Sequence, residues 1–179
     1  MKFIALIPNS LSFLRIVLTP IFAWFFMQPH HEQQCIGVII FTIAALSDTF
    51  DGYIARRFRV ASAYGAFLDP LADKFLIITA LCCLYAYGVI AWWLIAALVG
   101  RDLVVTWLRV VAAKRGKKFT TSWLAKAKTV AQFVVLVVGF YAVLWPSEQV
   151  DYWLAYLMPA VALFALYTGY GYAKVFLKR

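Results

Sequence analysis

Long apolar stretches alternate with short polar ones along this chain. Six of the apolar stretches approach the roughly 20 residues that a helix needs to cross the hydrocarbon core of a bilayer. They run from about Leu11 to Met27, Cys35 to Ala55, Ala66 to Tyr87, Ala91 to Ala113, Ala127 to Trp145 and Val150 to Phe176. Pro8-Asn9-Ser10 marks the start of the first, and Lys2 to Ile7 is a candidate short surface helix before it. Pro20 and Pro159 fall inside predicted spans, where they are expected to kink the helix. No repeat, linker or low-complexity tract is visible, so residues 1–179 read as one domain. The predicted fold class is an all-α integral membrane protein with six transmembrane helices.

The polar segments between the stretches fall into two sets. One set holds Arg56, Arg57 and Arg59, then Lys114, Arg115, Lys117 and Lys118, then Lys174, Lys178 and Arg179. The other set, Gln28 to Gln34, Tyr87 to Ile90 and Pro146 to Gln149, has no Lys or Arg and contains Glu32 and Glu148, with Asp151 just beyond. This is the positive-inside pattern. It predicts that the basic loops and both termini face the cytoplasm, as an even number of spans requires. Trp92, Trp93, Trp145 and Trp153 lie near helix ends on the acidic side, as interfacial belt residues do.

Composition agrees. Hydrophobic residues make up 65% of the chain, against about 45–50% in a soluble domain. The net charge of +9 is explained by the cytoplasmic loops, so no nucleic-acid partner is expected. Met1 to Ile7 lacks the apolar run and the cleavage site of a secretory signal. Cys35, Cys82 and Cys83 show no metal-ligand spacing and read as packing residues. His30 and His31 sit with Glu32 in a predicted external loop and read as solvated.

Four of the eight acidic residues break the pattern. Asp48, Asp51, Asp69 and Asp73 fall near the cytoplasmic ends of the second and third spans. Each ionisable group in a span costs roughly 2.5–3.5 kcal/mol on insertion scales, and like charges repel, so something positive must offset them. Asp48 and Asp51 are three residues apart and Asp69 and Asp73 four apart, so each pair shares a helix face. The short turn from Arg57 to Tyr64 makes the two helices antiparallel neighbours. Salt bridges to Arg56, Arg101 or Arg109 account for one or two carboxylates, but not for two pairs on consecutive helices. Clustered oxygen ligands suit Mg²⁺ or Mn²⁺, and two such ions about 4 Å apart form the usual clamp for displacement at phosphorus. Gly52 follows Asp51 and Gly65 opens the third span, where small residues give a ligand access.

From Asp48 the chain reads Asp-Thr-Phe-Asp-Gly-Tyr-Ile-Ala-Arg, then eight residues, Gly65, three residues, Asp69, three residues and Asp73. This resembles the CDP-alcohol phosphatidyltransferase signature, DxxDGxxARx8GxxxDxxxD, at all eight fixed positions. The resemblance implies that Asp48, Asp51, Asp69 and Asp73 hold two metal ions and that Asp73 is also the general base. It implies that Asp48, Asp51, Gly52, Ala55, Arg56 and Gly65 line the CDP site, that CDP-diacylglycerol is the donor and that CMP leaves. It further implies a homodimer in a bacterial inner (plasma) membrane, among membrane lipids, with the active site facing the cytoplasm.

A second polar cluster is the candidate acceptor site: Arg101, Arg109, Lys126 and Lys128. Arg101 and Arg109 are eight residues apart on the fourth span, offset by roughly 80° around the axis. Asp102 is placed to balance the charge of Arg101. Such a basic pocket suits an acceptor that already carries a phosphate; the alternative is that these residues snorkel or pair with anionic headgroups. Ile7-Pro8-Asn9 to Arg15, Gly65 to Pro70 and Ser122 to Thr129 are similar to the branch whose acceptor is sn-glycerol 3-phosphate. Ala125 stands where that branch usually has Gly, and Arg101-Asp102 where it has Arg-Glu. Arg-Asp is also similar to the cardiolipin synthases, whose acceptor is phosphatidylglycerol; serine and inositol-phosphate acceptors are further options. A transporter or scaffold is the remaining alternative, which aspartates near one surface and the lack of repeats disfavour. Asn9 and Arg15 could reach the nucleotide or the acceptor, and Arg15 could equally anchor the interface. Lys74 reads as snorkelling or as balancing Asp73. Tyr167, Tyr170 and Tyr172 are candidates to pack against a second subunit.

Overall fold

The computed structural model describes the backbone of residues 2–58, 63–114 and 123–178. Within these ranges the side chains of residues 2–11, 48–58, 63–70, 109, 113–114, 124–126 and 175–178 are outside the description. The described residues form six helices and no strand: α1 Lys2–Phe26, α2 His31–Phe58, α3 Ala63–Ala86, α4 Trp92–Lys114, α5 Trp123–Leu144 and α6 Glu148–Lys178. Each corresponds to one predicted stretch. The expected surface helix at Lys2 to Ile7 is not separate, because α1 runs unbroken from Lys2. α1 continues through Pro8, although a proline there can donate no N–H to the Ile4 carbonyl. Arg59, Arg115, Lys117, Lys118 and Ser122 lie outside the described residues.

Local chemistry sets two of the helix ends. Gly88 has a φ of +73°, its N–H donates to the Tyr85 carbonyl at 2.9 Å, and the Val89 N–H donates to the Leu84 carbonyl at 3.0 Å. This pair of bonds, around a residue only glycine occupies easily, is the Schellman ending of α3. At the start of α6 the Ser147 hydroxyl accepts from the Val150 N–H at 3.4 Å, the N-cap arrangement. Glu148 and Asp151 in that first turn face the positive end of the helix dipole.

The chain divides into two compact units, Met1–Cys83 and Leu84–Arg179. In the first, α1 packs along α2. Phe22, Phe26, Phe41 and Ala44 are buried, and the Phe22 ring lies 5.6 Å from Phe26 and 5.3 Å from Phe41 between centroids. Gly37 lets the helices approach: a Cβ there would come within 2.8 Å of the Phe26 backbone nitrogen. In the second unit, α4 and α5 both pack against α6, around Leu94, Leu98, Leu136, Leu154 and Ala165.

Large apolar side chains also cover the outward faces of the described residues. Phe13, Trp24, Ile39, Trp107, Val137 and Leu163 are among the exposed large hydrophobic residues, Trp24 at 69% and Leu163 at 67%. Water-facing proteins rarely expose so much apolar surface. Hydroxyls bond within their own helices, Thr42 to the Val38 carbonyl and Ser47 to the Ile43 carbonyl, each at 2.8 Å. That is the local solution where no water is at hand. Two segments among the described residues are long and apolar enough to cross a membrane, Ala127–Leu144 and Glu148–Lys174. The helices α2, α3 and α4 interrupt their apolar runs with ionisable residues. All four tryptophans expected at an interface are exposed.

Gly37→Ala is expected to destabilise the protein by about 1–3 kcal/mol, the cost of forcing a packed backbone apart. Gly100→Ala, whose added Cβ meets nothing within 4 Å, is expected to be neutral or to stabilise by up to about 1 kcal/mol through helix propensity. Thermal unfolding of the two variants in detergent checks both.

Candidate active site

The two aspartate pairs fall on consecutive helices. Asp48 and Asp51 belong to α2, and Asp69 and Asp73 to α3. Asp73 is half-buried; the side chains of Asp48, Asp51, Gly52, Ala55, Arg56, Gly65 and Asp69 lie outside those described. Among the described side chains no group of three or more His, Cys, Asp or Glu could hold a metal. The donor set of the whole motif is four carboxylates and no nitrogen or sulfur, the set a hard divalent cation takes. His31 and Cys35, one turn apart on α2, are in contact at 3.5 Å.

Arg15 turns inward. It is 1% exposed, and its Nε donates to the Ala44 carbonyl at 3.2 Å. Ala44 is one helical turn before Asp48 on α2. A buried guanidinium so close to the aspartate segment cannot serve as an interface anchor, the alternative open from the sequence.

The candidate acceptor residues divide differently. Asp102 joins two of them. Its Oδ1 accepts from Arg101 Nη1 at 3.0 Å and its Oδ2 from Lys128 Nζ at 2.8 Å. The side chains of Arg101 and Lys128 are only 7% and 4% exposed, against 28% for Asp102. Lys128 also donates to Gln132 Oε1, one turn on along α5. Arg101 Nε donates to the Thr168 hydroxyl of α6 at 3.2 Å, which in turn donates to the Ala165 carbonyl at 2.7 Å. The guanidinium carbon lies 5.6 Å from the ring centre of Tyr172, within cation–π range, and the Arg101 Cγ runs against Gly169. This network ties α4, α5 and α6 together. The side chains of Arg109 and Lys126 lie outside those described.

Two members were not legible as site residues. Gln132 carries a signal, being a polar residue one turn after Lys128 in an otherwise apolar helix. Thr168 carries none, because only the packing of α6 on α4 brings it to Arg101. Tyr172 is buried beneath Arg101, not turned to a second subunit, while Tyr167 and Tyr170 are exposed. Residues 170 and 172 are two apart, which puts them on opposite sides of a helix.

The described residues are all helical and expose much apolar surface, which defines the class of helical membrane proteins, and the sequence places two aspartate pairs on consecutive helices. The sequence model of the CDP-alcohol phosphatidyltransferases matches residues 5–167, and the chain belongs to that family. It is 35% identical over 163 residues to a CDP-diacylglycerol–glycerol-3-phosphate 3-phosphatidyltransferase of Salmonella paratyphi A, covering 88% of this chain and 84% of the relative. The likeness to the Pectobacterium atrosepticum protein of the same name is 36% over 149 residues, 80% of this chain and 79% of the relative. The protein of that name from Shigella flexneri serotype 5b is 34% identical over 163 residues, with 88% and 84% covered.

Gln132→Leu removes an acceptor from the buried Lys128 ammonium without changing the bulk of the side chain greatly. It is expected to lower stability by about 1–3 kcal/mol, the range for a lost hydrogen bond to a charged group. The unfolding midpoint of the purified variant in detergent checks this.

Proposed function

We propose that this chain transfers the phosphatidyl group of CDP-diacylglycerol to sn-glycerol 3-phosphate, forming phosphatidylglycerophosphate and releasing CMP. The observation that carries the reading is the complete aspartate motif from Asp48 to Asp73, in a chain whose relatives bear the name of that transferase over most of their length.

Asp48, Asp51, Asp69 and Asp73 would hold two ions, Mg²⁺ or Mn²⁺, whose charge offsets that of the pyrophosphate and of the departing CMP oxygen. Gly52, Ala55 and Gly65 leave room for the CDP group, and Arg56 supplies positive charge beside it. Asp73 accepts the proton of the acceptor hydroxyl as that oxygen attacks the β-phosphorus. The bond to the CMP oxygen then breaks. The basic cluster of Arg101, Arg109, Lys126 and Lys128 draws in the acceptor phosphate.

The same reading makes residues 1–179 a single catalytic domain. Its six helices all span the bacterial inner membrane, with both termini and the basic loops on the cytoplasmic side. The donor is an amphiphile and glycerol 3-phosphate is water-soluble, so a site near the cytoplasmic surface lets each arrive from its own phase. Membrane lipids surround the apolar exterior, and a homodimer is the working form.

The direct test is CMP release by the purified protein in detergent with CDP-diacylglycerol and Mg²⁺, offered each acceptor in turn. Release is expected with glycerol 3-phosphate and is lost on adding EDTA. Release with phosphatidylglycerol instead assigns the chain to cardiolipin synthesis, and no metal-dependent release with any acceptor overturns the enzymatic reading. Asp73→Asn is expected to lower turnover by about 10²–10⁴-fold, the range for a lost general base, while CDP-diacylglycerol still binds. Arg109→Ala is expected to raise the KM for glycerol 3-phosphate more than it lowers kcat; an unchanged KM removes Arg109 from the pocket.

A further inference from the structure

We propose that Asp102 is a positioning residue for the acceptor site: its carboxylate clamps α5 to α4 and so sets how the basic residues of both helices meet the acceptor phosphate. The proposal rests on the acceptor-site reading above.

Each carboxylate oxygen serves one cation, Oδ1 the guanidinium of Arg101 and Oδ2 the ammonium of Lys128. Two nearly buried cations from different helices share one anion. Together the three groups carry a net formal charge of +1. Without the carboxylate, two positive charges would face each other in apolar surroundings, and breaking a buried pair costs far more than an exposed one. Thr168 extends the clamp to α6 by holding Arg101 Nε.

The clamp is placed to act on binding as well as on stability. Arg101 spends Nη1 and Nε, and Lys128 two of its donors, inside the network. The network thus fixes where both cations sit in the basic cluster, and the Arg101 Nη2 group is buried without a hydrogen-bond partner among the described residues. Arg109 comes seven residues after Asp102 on α4, a rise of about 10 Å. Lys126 comes two residues before Lys128 on α5, about 3 Å along the axis. Slippage at the clamp would shift these two positions relative to each other. A phosphate gripped from two helices is sensitive to displacements of that kind.

The test is a pair of steady-state titrations on Asp102→Asn, one varying glycerol 3-phosphate and one varying CDP-diacylglycerol. The variant keeps the shape of the side chain but replaces one cation's acceptor with a donor. The KM for glycerol 3-phosphate is expected to rise about tenfold, and that for CDP-diacylglycerol to move less than about twofold. Asp102→Glu is expected to recover part of the loss. A folded Asp102→Asn protein with an unchanged KM for glycerol 3-phosphate overturns the proposal, as does an equal rise in both constants. If Asp102→Asn does not fold, Thr168→Val loosens the clamp while keeping the carboxylate; a rise of about threefold supports the proposal and no rise overturns it. The wild-type protein separates the two readings. If it requires a different acceptor, the glycerol 3-phosphate reading fails, and the KM for that acceptor in the same variants decides the role of Asp102.

Discussion

A charge removed from water must find an opposite charge or a hydrogen bond within the fold, and this protein meets that demand inside helices that are otherwise almost entirely apolar. The side chains of Arg15, Arg101 and Lys128 are nearly inaccessible. Each donates to a group on another helix: Arg15 to the Ala44 carbonyl of α2, Arg101 to Thr168 of α6, and Lys128 to Asp102 of α4. The contacts therefore do two things. They give each cation at least one partner, and they fix how the helices of each unit pack. In a bilayer, where the apolar effect does not favour helix–helix contact over lipid contact, polar groups and close packing carry much of that specificity.

The rest of the architecture follows the same constraint at lower cost. Thr19, Thr42, Ser47 and Thr106 each donate a hydroxyl to the carbonyl one turn earlier, so they need no partner elsewhere. The ends of α3 and α6 are closed by their own backbone and by Ser147. Small residues appear where backbones must approach, as at Gly37 against Phe26. The exposed faces remain free to be hydrophobic, as the surroundings of a lipid-metabolising enzyme require.

Membership of the CDP-alcohol phosphatidyltransferases gives the two polar clusters different chemical tasks in the proposed reaction. The aspartates of α2 and α3 collect negative charge, which bound cations would offset together with the negative charge of a pyrophosphate donor. The basic residues of α4 and α5 collect positive charge, which suits an anionic acceptor. Asp102 is the exception in the basic cluster, a carboxylate among cations. An arrangement of this kind tempers the repulsion between Arg101 and Lys128 while holding their geometry.

The helices were legible because their signal is local: apolar stretches of spanning length, separated by charged or turn-forming residues, needed no knowledge of the fold. The aspartate motif was legible for the same reason, since three- and four-residue spacings put carboxylates on one helix face wherever the helix sits. The merging of Lys2 to Ile7 into α1 was not legible, because Pro8-Asn9-Ser10 reads as a helix start and proline is disfavoured inside a helix. Nor was the inward turn of Arg15 or of Tyr172, which depends on which face meets a neighbour. The sequence by itself determined the helical class of fold and the family, and it carries the aspartate motif on which the proposed metal site rests. Only the tertiary structure decided that Asp102 joins Arg101 to Lys128 and that Thr168 completes the network, because residues 26 to 67 positions apart become neighbours only when helices pack.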